Sequence, residues 1–134
     1  MTFVDTSAAA RLLVADVGSP DVLELFGSDA ELYGSALLTA ELLRVATRNR
    51  LGWSAAERIL RRIRLLAIDD SLLREAGRLD PPGAWVRTAD ALPLVSASRL
   101  GEVDFVTYDR VQARAAEALG FAVHSPGMPG RWWT

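Results

Sequence analysis

The chain has 134 residues, half of them hydrophobic and 24% charged, with a net charge of −2. This balance excludes a disordered chain, a collagen-like repeat and a generally basic nucleic-acid coat protein. The absence of cysteine excludes disulfides and thiolate zinc sites, the single histidine, His124, excludes multi-histidine metal sites, and the absence of lysine excludes Walker A loops and Schiff-base chemistry. Any catalysis must therefore use carboxylates and hydroxyls.

The length and the N-terminal sequence bound the organisation of the chain. A chain of this size buries enough surface to fold alone, so we expect residues 1–134 to form a single domain. The segment MTFVDTSAAA lacks the basic and apolar regions of a signal peptide, and no apolar run approaches the ~20 residues that span a bilayer. We expect a cytoplasmic protein without a membrane segment.

The first third of the chain predicts two strands with two helices between them. Thr2–Val4 is a short apolar strand that ends at Asp5, and the alanine- and leucine-rich stretch Ser7–Val14 predicts a helix with a hydroxyl at its start. A hydroxyl, a proline and an acid open the next helix, Ser19–Phe26, with the serine as its N-cap. Glu31–Tyr33 predicts the second strand.

The middle of the chain predicts two helices, a strand and a third helix. Apolar residues recur at helical spacing in Thr39–Arg50, and a capping box of Ser54 and Glu57 predicts a helix from Ser54 to about Arg62. Leu65–Ile68 predicts a buried strand, and Ser71–Leu79 predicts a further helix.

The last third opens with Asp-Pro-Pro-Gly at 80–83, which predicts a loop, and continues with a helix over Thr88–Leu100 that Pro93 should bend. A strand, a helix and a strand complete the chain: Phe105–Thr107, Arg110–Leu119 and Phe121–Val123. Strands that alternate with helices favour parallel pairing and right-handed crossovers. The fold class is therefore α/β, with a central parallel sheet of four to five strands and helices on both faces.

Four acids fall where such a sheet binds ligands, at the carboxyl ends of its strands. Asp5 ends the first strand, Asp109 follows a later strand by two residues, and Glu41 and Asp90 lie in the first turns of helices. Carboxylates that cluster without basic partners repel one another, and a hard divalent cation such as Mg²⁺ or Mn²⁺ relieves this repulsion. The pattern indicates metal-assisted hydrolysis of a phosphodiester.

Helix capping is an alternative explanation for three of these acids: Glu41, Asp90 and Asp109. Asp5 is harder to explain in this way. Because Thr6 or Ser7 is expected to cap the following helix, Asp5 is left at the end of an apolar strand with no structural task.

Four segments resemble, in order, the four motifs of the PIN-domain ribonucleases, and within them the VapC-type toxins of bacterial toxin–antitoxin pairs: FVDTSA, TAELLRVATR, RTADALPLVSASRLG and DFVTYDRVQARAAEALGFAV. The resemblance covers nearly the whole chain and assigns one metal-binding acid to each motif: Asp5, Glu41, Asp90 and Asp109. One departure is Pro93, which stands where many members carry a histidine to which no ligand role attaches.

The resemblance implies a PIN-like three-layer sandwich and a Mg²⁺- or Mn²⁺-dependent endoribonuclease that leaves 5′-phosphate and 3′-hydroxyl ends. It also implies a homodimer and a cognate antitoxin whose C-terminal segment blocks the site.

Further residues are candidates for supporting roles. Three hydroxyls are expected to position the acids or a water molecule, with helix capping as the alternative for the first two: Thr6, Ser7 and Thr107. Arg44 and Arg48 share a helix face with Glu41, where they would steer RNA phosphates. The alternative for Arg44 is a simple ion pair with Glu41 or a solvated side chain.

Other functions remain open at this point. A catalytically silent PIN-like module that binds RNA or protein would be expected to lose some of the acids, and this chain keeps all four. A haloacid-dehalogenase-like phosphatase would need a second aspartate after Asp5, and a receiver domain would need a lysine. A flap nuclease is consistent with the chemistry but not with the short chain.

Overall fold

A five-stranded parallel sheet forms the centre of the molecule in a computed structural model that describes all residues, Met1–Thr134. The strands are β1 (Thr2–Val4), β2 (Leu32–Ser35), β3 (Arg64–Leu66), β4 (Asp104–Val106) and β5 (Ala122–His124). Their order is β3-β2-β1-β4-β5, and every neighbouring pair is parallel. The predicted sheet is confirmed, with five strands.

Seven helices connect these strands: α1 (Thr6–Ala9), α2 (Ser19–Gly27), α3 (Leu37–Arg48), α4 (Trp53–Arg61), α5 (Asp70–Arg78), α6 (Thr88–Ser98) and α7 (Arg110–Ala118). A 3-10 turn at Ala10–Leu12 extends α1. None of the helices is both long and apolar enough to cross a bilayer.

The two faces of the sheet carry separate cores because successive strand residues point to opposite sides. Phe3 and Phe105 pair across β1 and β4, stack at 5.3 Å and pack with buried residues of α5, α6 and α7. Val4 and Val106, the next pair in the register, pack on the other face with buried residues of α1, α2, α3 and α4. These two layers of helices confirm the predicted three-layer sandwich.

The strand order places a topological switch point between β1 and β4. From β1 the chain proceeds outward to β2 and β3 in one direction, and it returns to place β4 and β5 on the other side. In open parallel sheets, ligands bind at such a switch point, beyond the carboxyl ends of the strands. Asp5 follows β1 and Thr107 follows β4, so both residues lie at this edge.

Two predicted helix starts in the first half of the chain are wrong. Ser54 does not cap α4, because the helix begins one residue earlier, after Gly52, and no side chain caps it. The Trp53 indole donates to Thr47 Oγ1 of α3 at 3.1 Å, which ties the start of α4 to the preceding helix.

Ser19 is not an N-cap either, because Gly18 occupies that position with a φ of 87°. The Ser19 hydroxyl donates instead to the carbonyl of Arg11 and accepts from the amide of Asp16. These bonds hold the chain close to the 3-10 turn, where the predicted helix Ser7–Val14 ends early.

The predicted buried strand at Leu65–Ile68 is an edge strand, Arg64–Leu66, that is only partly buried. The C-terminal tail packs on the domain. Trp133 is buried, and its carbonyl accepts a 2.6 Å bond from Arg114 Nε of α7.

Candidate active site

One cleft at the carboxyl edge of the sheet is lined by all four predicted acids, which come from four separate segments: Asp5, Glu41, Asp90 and Asp109. We call it the acid cleft. Its volume is about 110 Å³, which is room for a divalent ion with several of its water molecules. No arginine lines it, and three of the four acids form no salt bridge: Asp5, Glu41 and Asp109.

Asp5 is the most deeply placed of the four acids, with 9% of its surface exposed. The pKa of its carboxyl is raised from 3.8 to about 6, chiefly by burial and to a smaller extent by the neighbouring Asp109 carboxylate. Hydrogen bonds to both of its oxygens oppose this rise in pKa. The fold therefore holds a carboxylate that is costly to ionise in the absence of a cation.

Asp5 has a structural task, contrary to the expectation from the sequence. Its Oδ1 accepts the amide of Ala8 at 3.1 Å, so Asp5, rather than Thr6 or Ser7, is the N-cap of α1. The reason is its extended backbone, with a φ of −94° and a ψ of 178°, which places the carboxylate over the first helical turn. Capping and ligand binding are thus compatible at this residue.

The three predicted hydroxyls all bond to acids of the cleft. Thr6 Oγ1 donates to Glu41 Oε1 at 2.6 Å, across 35 residues of sequence. Ser7 Oγ donates to Asp5 Oδ1 at 2.6 Å, and Thr107 Oγ1 donates to Asp5 Oδ2. Each bond fixes the orientation of one carboxylate.

Asp109 and Asp90 also have structural contacts at helix starts. Asp109 Oδ1 accepts the amide of Gln112 at 2.9 Å and caps α7, as its sequence pattern indicates. Asp90 Oδ2 lies 3.4 Å from the amide of Arg87 and 3.9 Å from Arg87 Nε, whose side chain is 85% exposed. An ion pair that is so exposed to water is weak, so the charge of Asp90 stays largely available to a ligand.

Arg44 and Arg48 line a groove that continues from the acid cleft, since Thr6 and Glu41 border both. The alternative pairing of Arg44 with Glu41 is absent, and Glu41 bonds to Thr6 instead. Neither arginine is among the cations that form salt bridges. Both positive charges are therefore available to an anionic ligand.

Two residues of the cleft were missed by the sequence analysis. Ser35, at the end of β2, is buried, and its Oγ accepts the amide of Leu37 at 3.1 Å. Gln112 is 2% exposed, and its Nε2 donates to the carbonyl of Asp90 at 3.1 Å while its Oε1 has no partner. Gln112 thus links α7, which Asp109 caps, to Asp90 of α6.

The donor set suits a hard cation because it consists of carboxylate and hydroxyl oxygens around a buried, uncompensated acid. In the observed side-chain conformations, no three acidic groups are close enough to bind the same ion. This spacing fits Mg²⁺, which proteins usually bind through one or two carboxylates while it keeps several waters.

Comparison with known proteins identifies the family. A PIN domain model matches residues 2–118. The chain is 33% identical over 135 residues to proteins described as ribonuclease VapC35 from two strains of Mycobacterium tuberculosis, CDC 1551 / Oshkosh and H37Rv, and the match covers 96% of this chain and 98% of theirs.

Solved structures share the fold at lower identity. A toxin–antitoxin complex from Klebsiella pneumoniae contains a chain with a TM-score of 0.71 and 15% identity, covering 94% of this chain and 98% of that one. Mycobacterium tuberculosis VapC20, described as a toxin that cleaves the sarcin–ricin loop, gives a TM-score of 0.73 and 19% identity, covering 93% and 100%. The chain therefore belongs to the PIN-domain family, with VapC proteins among its relatives.

Proposed function

We propose that this protein is a metal-dependent endoribonuclease and the toxin of a toxin–antitoxin pair. The observation that carries the proposal is the acid cleft, which four acids from four segments line at the switch point of the sheet without a lining arginine. The full-length match to proteins described as ribonuclease VapC supports the choice of RNA as the substrate.

The four acids would hold Mg²⁺ or Mn²⁺ partly through water molecules, because no three of them are close enough to bind one ion directly: Asp5, Glu41, Asp90 and Asp109. A divalent cation in this cleft supplies Lewis-acid stabilisation of the charge that develops on the phosphoryl oxygens. The residues of the chain do the positioning. Ser7 and Thr107 fix the two oxygens of Asp5, and Thr6 fixes Oε1 of Glu41, which leaves Glu41 Oε2 available to a cation or a water.

The groove beside Glu41 provides the path for the RNA backbone. Arg44 and Arg48 offer positive charge along α3, one and two turns from the cleft, where they would draw phosphates toward the acids. In-line attack of water on a phosphodiester held there, with departure of the 3′ oxygen, leaves a 5′-phosphate and a 3′-hydroxyl. These are the ends we propose for the products.

The proposed partners are a cognate antitoxin and a second copy of this chain. The toxin–antitoxin complex among the similar structures supports the first of these partners. We propose that a C-terminal segment of the antitoxin blocks the acid cleft with an arginine, because a guanidinium bridges carboxylates bidentately and displaces metal. An antitoxin complex with an open acid cleft would contradict this mode of inhibition.

A cleavage assay tests the enzymatic proposal. Purified protein is incubated with end-labelled RNA in chelator, in Mg²⁺ and in Mn²⁺, beside the folded Asp90→Asn variant. We expect cleavage only with metal, products with 5′-phosphate ends, and no cleavage by the variant. The competing function is a catalytically silent module that only binds RNA, because no three of the acids are close enough to hold one metal ion. Metal-independent cleavage, or equal cleavage by Asp90→Asn, would refute the proposed site, and intact RNA in all conditions would favour the silent module.

A further inference from the structure

Trp85 is the most exposed large apolar side chain of the protein, with 81% of its surface accessible. It lies in the loop between α5 and α6, and its neighbours hold it there. Val86 is buried with residues of α5 and α6, and Ala84 packs against the same core. The indole is therefore presented to solvent by an anchored loop, and packing within the domain gives no reason for its position.

The loop leads directly into the acid cleft. Arg87 follows Trp85 by two residues and contacts the Asp90 carboxylate through both its amide and its Nε. Burial alternates from Ala84 to Arg87, as in extended chain, so Trp85 and Arg87 project to the same side. Two residues of extended chain span at most about 7 Å, so the backbone of Trp85 lies within about 7 Å of Arg87, which contacts the Asp90 carboxylate of the cleft.

Trp85 and the arginine groove lie on opposite sides of the acid cleft. Arg44 and Arg48 belong to α3, which packs on the sheet face of Val4, whereas the Trp85 loop packs on the face of Phe3. A strand of nucleic acid that follows the arginines across the cleft would arrive beside the indole.

We propose that Trp85, assisted by Arg87, is a stacking site for a base of single-stranded RNA, next to the phosphodiester held in the acid cleft; this rests on the proposed function. An indole binds the face of any base, and an adjacent guanidinium adds charge for the following phosphate. The exposed residues beside Trp85 along the chain are Pro82, Gly83, Arg87 and Thr88. A single flat apolar side chain next to a guanidinium suits a base, whereas a protein interface usually needs a wider apolar patch.

The test measures RNA affinity in the Asp5→Asn background, where the probe stays intact. The probe is a fluorescein-labelled single-stranded RNA of 12 nucleotides, followed by anisotropy. We expect Trp85→Ala to weaken binding about tenfold and Trp85→Phe to stay within about threefold of the parent, because phenylalanine still stacks. Leu23→Ala, which truncates a residue that is 65% exposed on α2, should leave affinity unchanged. Unlabelled RNA should also quench tryptophan fluorescence in the parent but not in Trp85→Phe.

The outcomes separate this site from the proposed function. Unchanged affinity in Trp85→Ala, with quenching that persists in Trp85→Phe, would overturn the stacking site and favour a protein contact at this loop. Cleavage by the otherwise wild-type enzyme with Trp85→Ala should keep its rate at saturating RNA and lose efficiency only at low RNA. Failure of the Asp5→Asn parent to bind RNA would contradict the stacking site, and absence of cleavage by wild-type protein would contradict the proposed function.

Discussion

Two aspartates of this protein cap helices in the same way but have opposite electrostatic environments. Asp5 accepts the amide of Ala8 at the start of α1, and Asp69 accepts the amide of Leu72 at the start of α5. The pKa of Asp69 is lowered from 3.8, first by that amide and then by Arg99, and its side chain is 65% exposed. The pKa of Asp5 is raised to about 6 because it is buried and has no positive neighbour. Capping therefore does not distinguish a structural acid from a candidate ligand, whereas burial without a counter-charge does.

The largest expected effect of this contrast is on catalysis. Asp5→Asn keeps the capping oxygen but removes the charge, so we expect RNA cleavage to fall about 1,000-fold or more, the scale of several kcal/mol of metal-ion stabilisation. Asp69→Asn makes the same chemical change outside the cleft and should stay within about twofold of wild type. Initial rates on labelled RNA measure both variants, and comparable losses in the two would show that capping, not the cleft, explains the effect.

The second effect is on stability without metal, and its size depends on pH. Because the pKa of Asp5 is higher in the folded state than its usual 3.8, the folded state binds more protons between pH 3.8 and about 6. Stability from this group is fully present below pH 3.8 and is lost as pH rises through 6. The loss is about 3 kcal/mol at pH 7, from about 1.4 kcal/mol per pKa unit.

Asp5→Asn should therefore unfold at higher urea concentration than wild type at pH 7.5 in chelator, and the two midpoints should converge near pH 4. Asp69→Asn should show no gain at pH 7.5, because its carboxylate is stabilised by Leu72 and Arg99. A destabilised Asp5→Asn at pH 7.5 would contradict the uncompensated charge.

The arginine groove should have a smaller effect, on RNA affinity rather than on the rate at saturation. Arg44→Ala removes a cation that has no salt bridge and borders the cleft, so binding should weaken severalfold and the slope of log affinity against log salt should fall by about one. Arg74→Ala is the matched control, because Arg74 pairs with Asp70 on α5, away from the groove. Equal salt slopes for wild type and Arg44→Ala would exclude a phosphate contact.

The smallest effect separates the cap and ligand roles of Asp109. In the Asp5→Asn background, Asp109→Ala loses only its cap on α7 and should destabilise the protein by about 1 kcal/mol. In the wild-type background, the same change also relieves repulsion with Asp5, so the loss should be smaller. Unfolding free energies of the four proteins in this cycle, in chelator at pH 7.5, give the coupling between the two acids. Identical losses in both backgrounds would show that the carboxylates do not interact.

Most of the fold follows from patterns that act over a few residues. Short apolar runs bounded by glycine and polar residues predict the five strands, and their alternation with helices predicts parallel pairing. The errors lie at helix starts, where tertiary contacts decide. Trp53 begins α4 through its bond to Thr47, and Ser19 bonds to Arg11 rather than to its own helix. Neither contact is encoded in local spacing.

The site was only partly predictable, because tertiary contacts also determine part of it. Asp5, Asp90 and Asp109 follow a strand or open a helix, so topology places them at one edge. Glu41 was predicted in a first helical turn, but α3 begins at Leu37 and Glu41 lies beyond its first turn, where it does not cap the helix. Ser35 was missed because β2 extends two residues beyond its predicted end at Tyr33, and Gln112 was missed because its bond to the Asp90 carbonyl joins residues that are 22 positions apart in sequence. The arrangement in which Thr6 orients Glu41 and Thr107 orients Asp5 joins residues far apart in sequence, and only the packed structure specifies it.

The central claim is that the acid cleft binds a divalent cation through Asp5. Thermal melting at pH 7.5, with chelator and with millimolar Mn²⁺, tests it directly, because an ion that binds only the folded cleft raises the melting temperature by linkage. We predict a clear increase for wild type and for Asp69→Asn, and a much smaller increase for Asp5→Asn. An equal Mn²⁺-induced increase in Asp5→Asn, or no increase in wild type, would contradict the account.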